Sequence, residues 1–274
     1  MTVPLITLNN GIPMPQLGFG VFQVPDDETT AAVASALEVG YRSIDTAALY
    51  GNEAGVGRAI ADSGLPRDEI FVTSKVWITD HGYDQALRAF DASMDRLGLD
   101  VLDLYLIHWP APGLGTFPDT WRALEKLYAD GRVRAIGVSN FEPEHLDAIA
   151  SETGVVPAVN QVELHPALRN RAVEAANTAR GIVTEAWSPL AQGAVLGDDA
   201  IVQIAERHGK SPAQVVLRWH LQQGRVVIPK SVTPARIAAN LDVFDFDLDD
   251  TELAAIDGLD RDGRTGPHPA RFNG

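Results

Sequence analysis

Tyr41-Arg42-Ser43-Ile44-Asp45-Thr46-Ala47-Ala48-Leu49-Tyr50-Gly51-Asn52-Glu53 reads as a strand, a loop and the first residue of a helix. Tyr41 to Ile44 is the strand, and Asp45 stands where it ends. Tyr50 lies in the loop, and Glu53 to Ile60 has helical spacing, with Gly64 closing it. A strand handing over to a helix across a polar loop is half of a β–α repeat, so the question is how often the chain does this.

It does so throughout. Upstream, Gln16–Gly20 is a short strand, and Glu28 to Val39 places Ala32, Val33, Ala36 and Leu37 on one face before Gly40. Downstream come strands at Ile70–Ser74, Val101–Ile107, Val133–Val138, Ala158–Leu164, Ile182–Ala186 and Val226–Ile228. Helices are expected at Asp84–Leu97, Asp119–Ala129, Pro143–Ala150, Arg171–Ala179, Ala200–Arg207 and Pro212–Gln222, and one opening at Thr233-Pro234. Ser211, Pro212 and Gln214 form a capping box, Thr233-Pro234 is read as the same device, and Asp249 and Glu252 frame a last helix. Before all of these, Leu5–Leu8 and Ile12–Met14 flank Asn9-Asn10-Gly11 as a hairpin, with Asn-Gly supplying positive φ angles. Eight strands alternating with helices specify an α/β fold, the (β/α)8 TIM barrel, with an N-terminal β-hairpin closing the barrel bottom and two extra helices. A doubly wound dinucleotide-binding sheet needs Gly-x-Gly-x-x-Gly after its first strand, whereas Gly55-Val56-Gly57 lies inside a helical run and lacks the third glycine. No linker or repeat divides the chain, so residues 1–274 are read as one domain, with 264–274 as a tail over the site.

Composition narrows the function. The net charge of -15 disfavours nucleic acid and anionic membranes as partners, and any bound anion needs local cations. The chain has no cysteine, which excludes disulfides, thiolate nucleophiles and Cys-ligated zinc. Met1-Thr2-Val3-Pro4 shows no leader pattern and no apolar run is long enough for a bilayer, so a cytoplasmic enzyme is expected; a monomer is the separate expectation for its assembly. The histidines lack His-Glu-x-x-His spacing, and no metal site is expected.

In a barrel, chemistry collects at the C-terminal ends of the strands. Here those ends carry Asp45 with Tyr50; Lys75 with Trp77; His108-Trp109; Ser139-Asn140; Asn160-Gln161 and Glu163; Trp187-Ser188; and Pro229-Lys230-Ser231. One such residue would be an ordinary rim residue; seven successive ends are a site. Asp45, Lys75 and His108 sit on neighbouring strands, so they converge under the loop bearing Tyr50. Lys75 beside a phenol favours the phenolate, and Asp45 keeps the lysine charged. A buried Asp–Lys pair that only shapes the rim would typically break even in energy, which favours a functional reading. The set suits proton donation to a carbonyl oxygen as it becomes an alkoxide.

These residues resemble the aldo-keto reductases. The motif Asp45–Glu53, Lys75, Leu106-Ile107-His108-Trp109-Pro110, Ile136–Phe141, Val159–Pro166 and Ile228–Val232 carry the resemblance, which runs from hairpin to tail. Trp187 and Asn240–Phe246 make the chain most like the bacterial 2,5-diketo-D-gluconate reductases. The resemblance implies NADPH-dependent reduction of small carbonyls, dicarbonyls such as 2,5-diketo-D-gluconate or methylglyoxal among them. Tyr50 is then the general acid, His108 orients the carbonyl, and Lys75 with Asp45 tunes Tyr50. Gly20, Val21, Asp45, Ser139, Asn140, Gln161, Trp187, Ser188, Leu190, Gln192, Lys230, Ser231, Val232, Arg236 and Asn240 are the implied cofactor contacts. Among these, Ser139, Asn140 and Gln161 meet the carboxamide, Trp187 stacks on the ring, and Lys230, Ser231 and Arg236 receive the 2′-phosphate. Phe22, Ala47, Tyr50, Trp77, His108 and Trp109 wall the substrate pocket. The alternative function is a noncatalytic NADPH-binding regulatory subunit; a barrel hydrolase using Asp45 and Glu163 is a second rival, and no tyrosine begins the Tyr-x-x-x-Lys of short-chain dehydrogenases.

Overall fold

The computed structural model describes residues 3–151 and 154–274; Met1 and Thr2, part of the stretch read above for a leader, lie outside them. The chain begins with the expected hairpin, β1 (Leu5–Thr7) and β2 (Pro13–Pro15), paired antiparallel with Ile6 opposite Met14. Its turn differs from the expectation. Only Gly11 takes positive φ (85°), and the Gly11 amide donates to the Leu8 carbonyl at 2.9 Å. A three-residue loop ending in one left-handed glycine needs no positive φ at Asn10.

Eight parallel strands follow: β3 (Phe19–Gly20), β4 (Ser43–Asp45), β5 (Phe71–Val76), β6 (Leu102–Ile107), β7 (Val133–Ser139), β8 (Val159–Glu163), β9 (Val183–Trp187) and β10 (Val226–Val227). Each pairs with its sequence neighbour. The ring closes by a bridge between Leu17 and Val227, with Gly18 donating to the Val227 carbonyl (2.8 Å) and Val227 donating to the Gln16 carbonyl (3.1 Å).

The helices between them are α1 (Asp26–Val39), α2 (Glu53–Asp62), α3 (Tyr83–Leu97), α4 (Phe117–Ala129), α5 (Pro143–Ala150), α6 (Arg171–Ala179), α7 (Asp199–His208), α8 (Pro212–Gln222), α9 (Pro234–Leu241) and α10 (Asp250–Asp257). The two extra helices are α7, which precedes the crossover helix α8, and α10, which packs on both. The Ser211/Gln214 and Asp249/Glu252 capping boxes are present. At α9 the device differs: the Thr233 side chain makes no cap bond, and its amide donates instead to Ser231 Oγ at 3.1 Å.

Alternation along each strand divides the core in two. Leu104 and Leu106 of β6 face the barrel interior with Phe71, Ala135, Val159 and Val226. Leu8 and Met14 of the hairpin join that interior cluster and plug its lower end. Tyr105 and Ile107 face outward and pack with Phe90, Trp121 and Leu124 of the helical layer. With the bottom plugged, the open end is the rim where the strands finish. Gly57 has a packing reason rather than a nucleotide-binding one. A Cβ there would stand 2.3 Å from the Leu97 carbonyl oxygen, so α2 crosses the end of α3 at a distance only glycine permits. Gly57→Ala should destabilise the protein by roughly 1–3 kcal/mol through overpacking, read as a lower urea midpoint with an unchanged m value.

Candidate functional site

The rim is built around Lys75. It points inward from β5, is wholly buried, and all three ammonium hydrogens are used. Nζ donates to Asp45 Oδ1 at 2.6 Å, to the Thr46 carbonyl at 2.9 Å and to Tyr50 Oη at 3.3 Å. β4 and β5 are hydrogen-bonded neighbours, which brings the carboxylate and the ammonium together. The Asp45–Tyr50 connection turns through the one-turn helix Ala48–Tyr50, ended by Gly51 at φ 68°, and swings the phenol over the lysine. Asn52 fixes the loop from behind: it accepts from Thr46 Oγ1 and donates to the Val21 and Val24 carbonyls.

Burial raises the Tyr50 phenol above its usual range, and the Asp45 and Glu185 charges add to this; Lys75 opposes the shift without reversing it. The expectation that Lys75 alone lowers the phenol pKa is therefore corrected, because desolvation outweighs one ammonium. Tyr50 is a protonated phenol at neutral pH. Since Lys75 donates to its oxygen, the phenol's own hydrogen is left for another acceptor. His108 lies beside it, with ring centroids 5.6 Å apart. Burial, then the Lys75 and His81 charges, hold the imidazole well below its usual pKa, so it is neutral. Its Nδ1 is buried without a partner, which leaves Nε2 as the nitrogen able to meet a substrate.

The next strand ends form a continuous polar network. Ser139 Oγ donates to the Gln161 carbonyl at 2.8 Å. Asn140, at φ 63°, donates through Nδ2 to the His108 carbonyl and to Ser139 Oγ, both at 3.0 Å, and its Oδ1 accepts from Trp187 Nε1 at 2.8 Å. Asn140 thus has its amide committed within the protein. Gln161 Nε2 donates to Asp45 Oδ2 at 2.8 Å and to Glu185 Oε2 at 2.9 Å. Glu185 was not singled out in the sequence. It points into the barrel two residues before Trp187, is wholly buried, and is pushed up to about 8 by burial and by Asp45.

Beyond β9 the backbone is strained. Ser188, Ala191 and Gln192 take positive φ (47°, 49° and 54°), followed by Gly193 at 94°. Leu190 is half-buried and Gln192 exposed in the same loop. Past β10, Lys230, Val232 and Arg236 are exposed, whereas Ser231 and Asn240 are buried. Lys230 and Arg236 make no ion pair with any described residue. Gly20 and Val21 stand at the closing edge; a Cβ on Gly20 would lie 2.9 Å from the Ile228 carbonyl, and the Val21 amide donates to the Asp45 carbonyl at 3.1 Å.

Aromatic residues gather beside Tyr50 and His108. The Phe22 ring lies 5.0 Å from Tyr50, and Trp77 lies 5.0 Å from His108. Trp109 and Trp77 meet Phe272 of the C-terminal tail at 4.6 and 6.3 Å. Phe272 is a wall that sequence reasoning did not name, because the tail has no periodicity to read. Ala47, expected to line the pocket, is wholly buried and presents no surface to it. The tail is anchored by Glu163, whose carboxylate accepts from the Thr265 amide (2.5 Å), Thr265 Oγ1 (2.7 Å), the Gly266 amide (3.1 Å) and His165 Nε2 (3.1 Å). These bonds outweigh burial and hold its carboxyl below the usual range, so Glu163 is not the raised-pKa acid that the barrel-hydrolase reading requires.

Residues 16–261 match the model of the aldo/keto reductase family. A Mycolicibacterium smegmatis aldo-keto reductase is 57% identical over 98% of both chains. The glyoxal reductase of Bacillus subtilis is 53% identical over 96% of this chain and 95% of its own. The crystal structure of a Gox0644 mutant in complex with NADPH superposes with a TM-score of 0.96 at 51% identity, covering 99% of each chain.

Glu163→Ala should release the tail. The Thr265 and Gly266 amides lose charge-assisted bonds worth roughly 1.5–3 kcal/mol each, so their hydrogen exchange should accelerate by about tenfold or more while the β5 amides stay unchanged.

Proposed function

Because the chain belongs to the aldo/keto reductase family, we propose that it reduces aldehydes and ketones to alcohols with NADPH, Tyr50 acting as general acid. The observation that carries this reading is the direction of one hydrogen bond. Lys75 donates to Tyr50 Oη, so the phenol offers its own hydrogen to the cleft. When bound, NADPH supplies the hydride. Everything else falls to side chains already placed. His108, neutral, orients the carbonyl oxygen through Nε2. Tyr50 gives its proton to that oxygen as negative charge grows there, and Lys75 stabilises the phenolate left behind. Asp45 and the Thr46 carbonyl hold Lys75 in place, so no side chain has to reorganise during transfer.

The donor set fits the cofactor. Gln161 has committed both amide hydrogens inward, which leaves Oε1 to accept from a carboxamide. Lys230 and Arg236 are the unpaired cations a 2′-phosphate needs, and Ser231 and Asn240 flank them. The strained Ser188–Gly193 loop offers backbone to the pyrophosphate. Trp187 is half-buried, with its indole N–H fixed by Asn140.

The pocket walls, Phe22, Trp77, Trp109 and Phe272, are apolar and discriminate weakly among carbonyls. Small dicarbonyls are the proposed substrates, in line with the glyoxal reductase similarity. The noncatalytic NADPH-binding reading is the rival, and an assembled proton donor beside a neutral imidazole argues against it.

Tyr50→Phe keeps the ring and removes the proton. NADPH binding should survive while kcat with glyoxal or methylglyoxal falls by roughly 10²–10⁴. Retained turnover would refute the assignment. Arg236→Ala should raise KM for NADPH by about tenfold or more and leave the poorer KM for NADH unchanged, since it removes one charge-assisted phosphate contact worth roughly 1.5–3 kcal/mol.

A further inference from the structure

Below the proposed reaction centre the barrel holds one cation and two carboxylates. Lys75 bonds Asp45, and Glu185 reaches the same group only through Gln161. The groups facing Glu185 are Asp45 on β4, Lys75 on β5, Tyr50 in the loop above and Gln161 on β8; its partner on β10 is the apolar Val226. Lys75 is the cation that acts on it. Glu185 Oε2 has one hydrogen bond and Oε1 has none, although both belong to a residue with no exposed surface. An ionised carboxylate in that position would leave a buried charged oxygen without a protein donor, beside a second carboxylate that already holds Lys75.

The amide of Gln161 is fixed by the same arrangement. A single nitrogen contacts both acids, so a flipped amide would set its carbonyl oxygen against the Asp45 carboxylate. Gln161 is therefore held with NH2 inward and Oε1 toward the rim.

We propose that Glu185 is a positioning residue of the carbonyl reduction: as the neutral acid it locks Gln161 in the orientation that receives the cofactor carboxamide, and on losing its proton to solvent it adds a second negative charge beneath the nicotinamide site. This rests on the NADPH-dependent reading above. A buried anion there favours the oxidised, cationic ring over the reduced, neutral one. A neutral Glu185 thus keeps the site matched to the reduced cofactor, and alkaline pH shifts it toward the oxidised form.

The stability of the cofactor-free protein supplies a test that needs no cofactor. Burial and Asp45 raise the Glu185 pKa from 4.5 to about 8. Between those values the native state keeps a proton that the unfolded chain has released. Stability is full below the lower value and is lost as pH rises through the higher one. Glu185→Gln is isosteric with the neutral acid and removes this slope. From pH 5.5 to 7.5 the unfolding equilibrium constant of the wild type should rise relative to E185Q by about tenfold per pH unit, measured in urea, and flatten above pH 8.5.

The second measurement is tryptophan-quenching titration of the same proteins with NADPH and NADP+. In the wild type the ratio Kd(NADPH)/Kd(NADP+) should increase severalfold through pH 8, whereas in E185Q it should stay at the wild-type value for pH 6. Glu185→Leu, which removes one of the two inner partners of Gln161 and leaves only Asp45, should weaken both cofactors by about tenfold at every pH, the cost of one lost buried bond. Equal urea slopes for wild type and E185Q overturn the protonation assignment. A parallel pH course of the two ratios overturns the charge effect, and wild-type affinity in E185L overturns the positioning role. A wild type that binds NADPH but turns over no carbonyl defeats the proposed function instead, and the urea comparison tells that failure from this one.

Discussion

A lysine with no exposed surface is the constraint that the rest of the rim answers. An ammonium taken out of water is held only if each of its hydrogens meets an oxygen, and Lys75 has three: a carboxylate, a backbone carbonyl and a phenol. Each comes from β4 or the loop after it. The requirement explains why that loop turns so tightly at Gly51 and why Asn52 is buried behind it with every amide atom bonded. Satisfying the lysine and arming the phenol are the same act, because the bond that completes the ammonium shell is the one that frees the hydroxyl hydrogen.

The charge then propagates around the barrel interior. Asp45 neutralises Lys75 and spends its second oxygen on Gln161. Gln161 passes the contact to Glu185 and, through its backbone carbonyl, holds Ser139. Ser139 and the His108 carbonyl fix Asn140, which fixes the indole of Trp187. Polar side chains from five of the eight strands are thus tied into one layer above the apolar plug formed by Leu8, Met14 and the lower strand residues. These shared bonds make the layer rigid, and Glu185 Oε1 is an oxygen in it that they leave unmet.

How much of this was legible in the sequence depended on periodicity. Strands such as Val101–Ile107 and helices such as Asp84–Leu97 alternate cleanly, so order and number could be read, and with them the rim positions of Asp45, Lys75 and His108. Strand ends moved by one or two residues where pairing, not hydropathy, sets the limit: β5 runs on to Val76 because Lys75 and Val76 pair with Leu106 and Ile107. Glu185 escaped notice because one carboxylate in an apolar run has no local signature. Its spacing from Trp187 was the available signal, since residues two apart share a face of a strand. The balance of burial against Lys75 at Tyr50 was beyond reach, because desolvation depends on atoms that sequence does not bring together. Phe272 and the Glu163 anchor belong to a tail whose path is set by contacts with the rim rather than by its own pattern.

The closing edge of the barrel has a consequence of its own. Seven of the strand junctions are ladders between named strands, whereas the eighth, where the first and last strands meet, rests on one bridge and a few backbone bonds. It is the seam of the ring. Gly20 and Val21 stand on one side of it, and Lys230, Ser231 and Arg236 on the other. A cofactor gripped by both sides would act as a rivet across the join, so occupancy and the integrity of the ring would be coupled through the junction that no strand ladder spans.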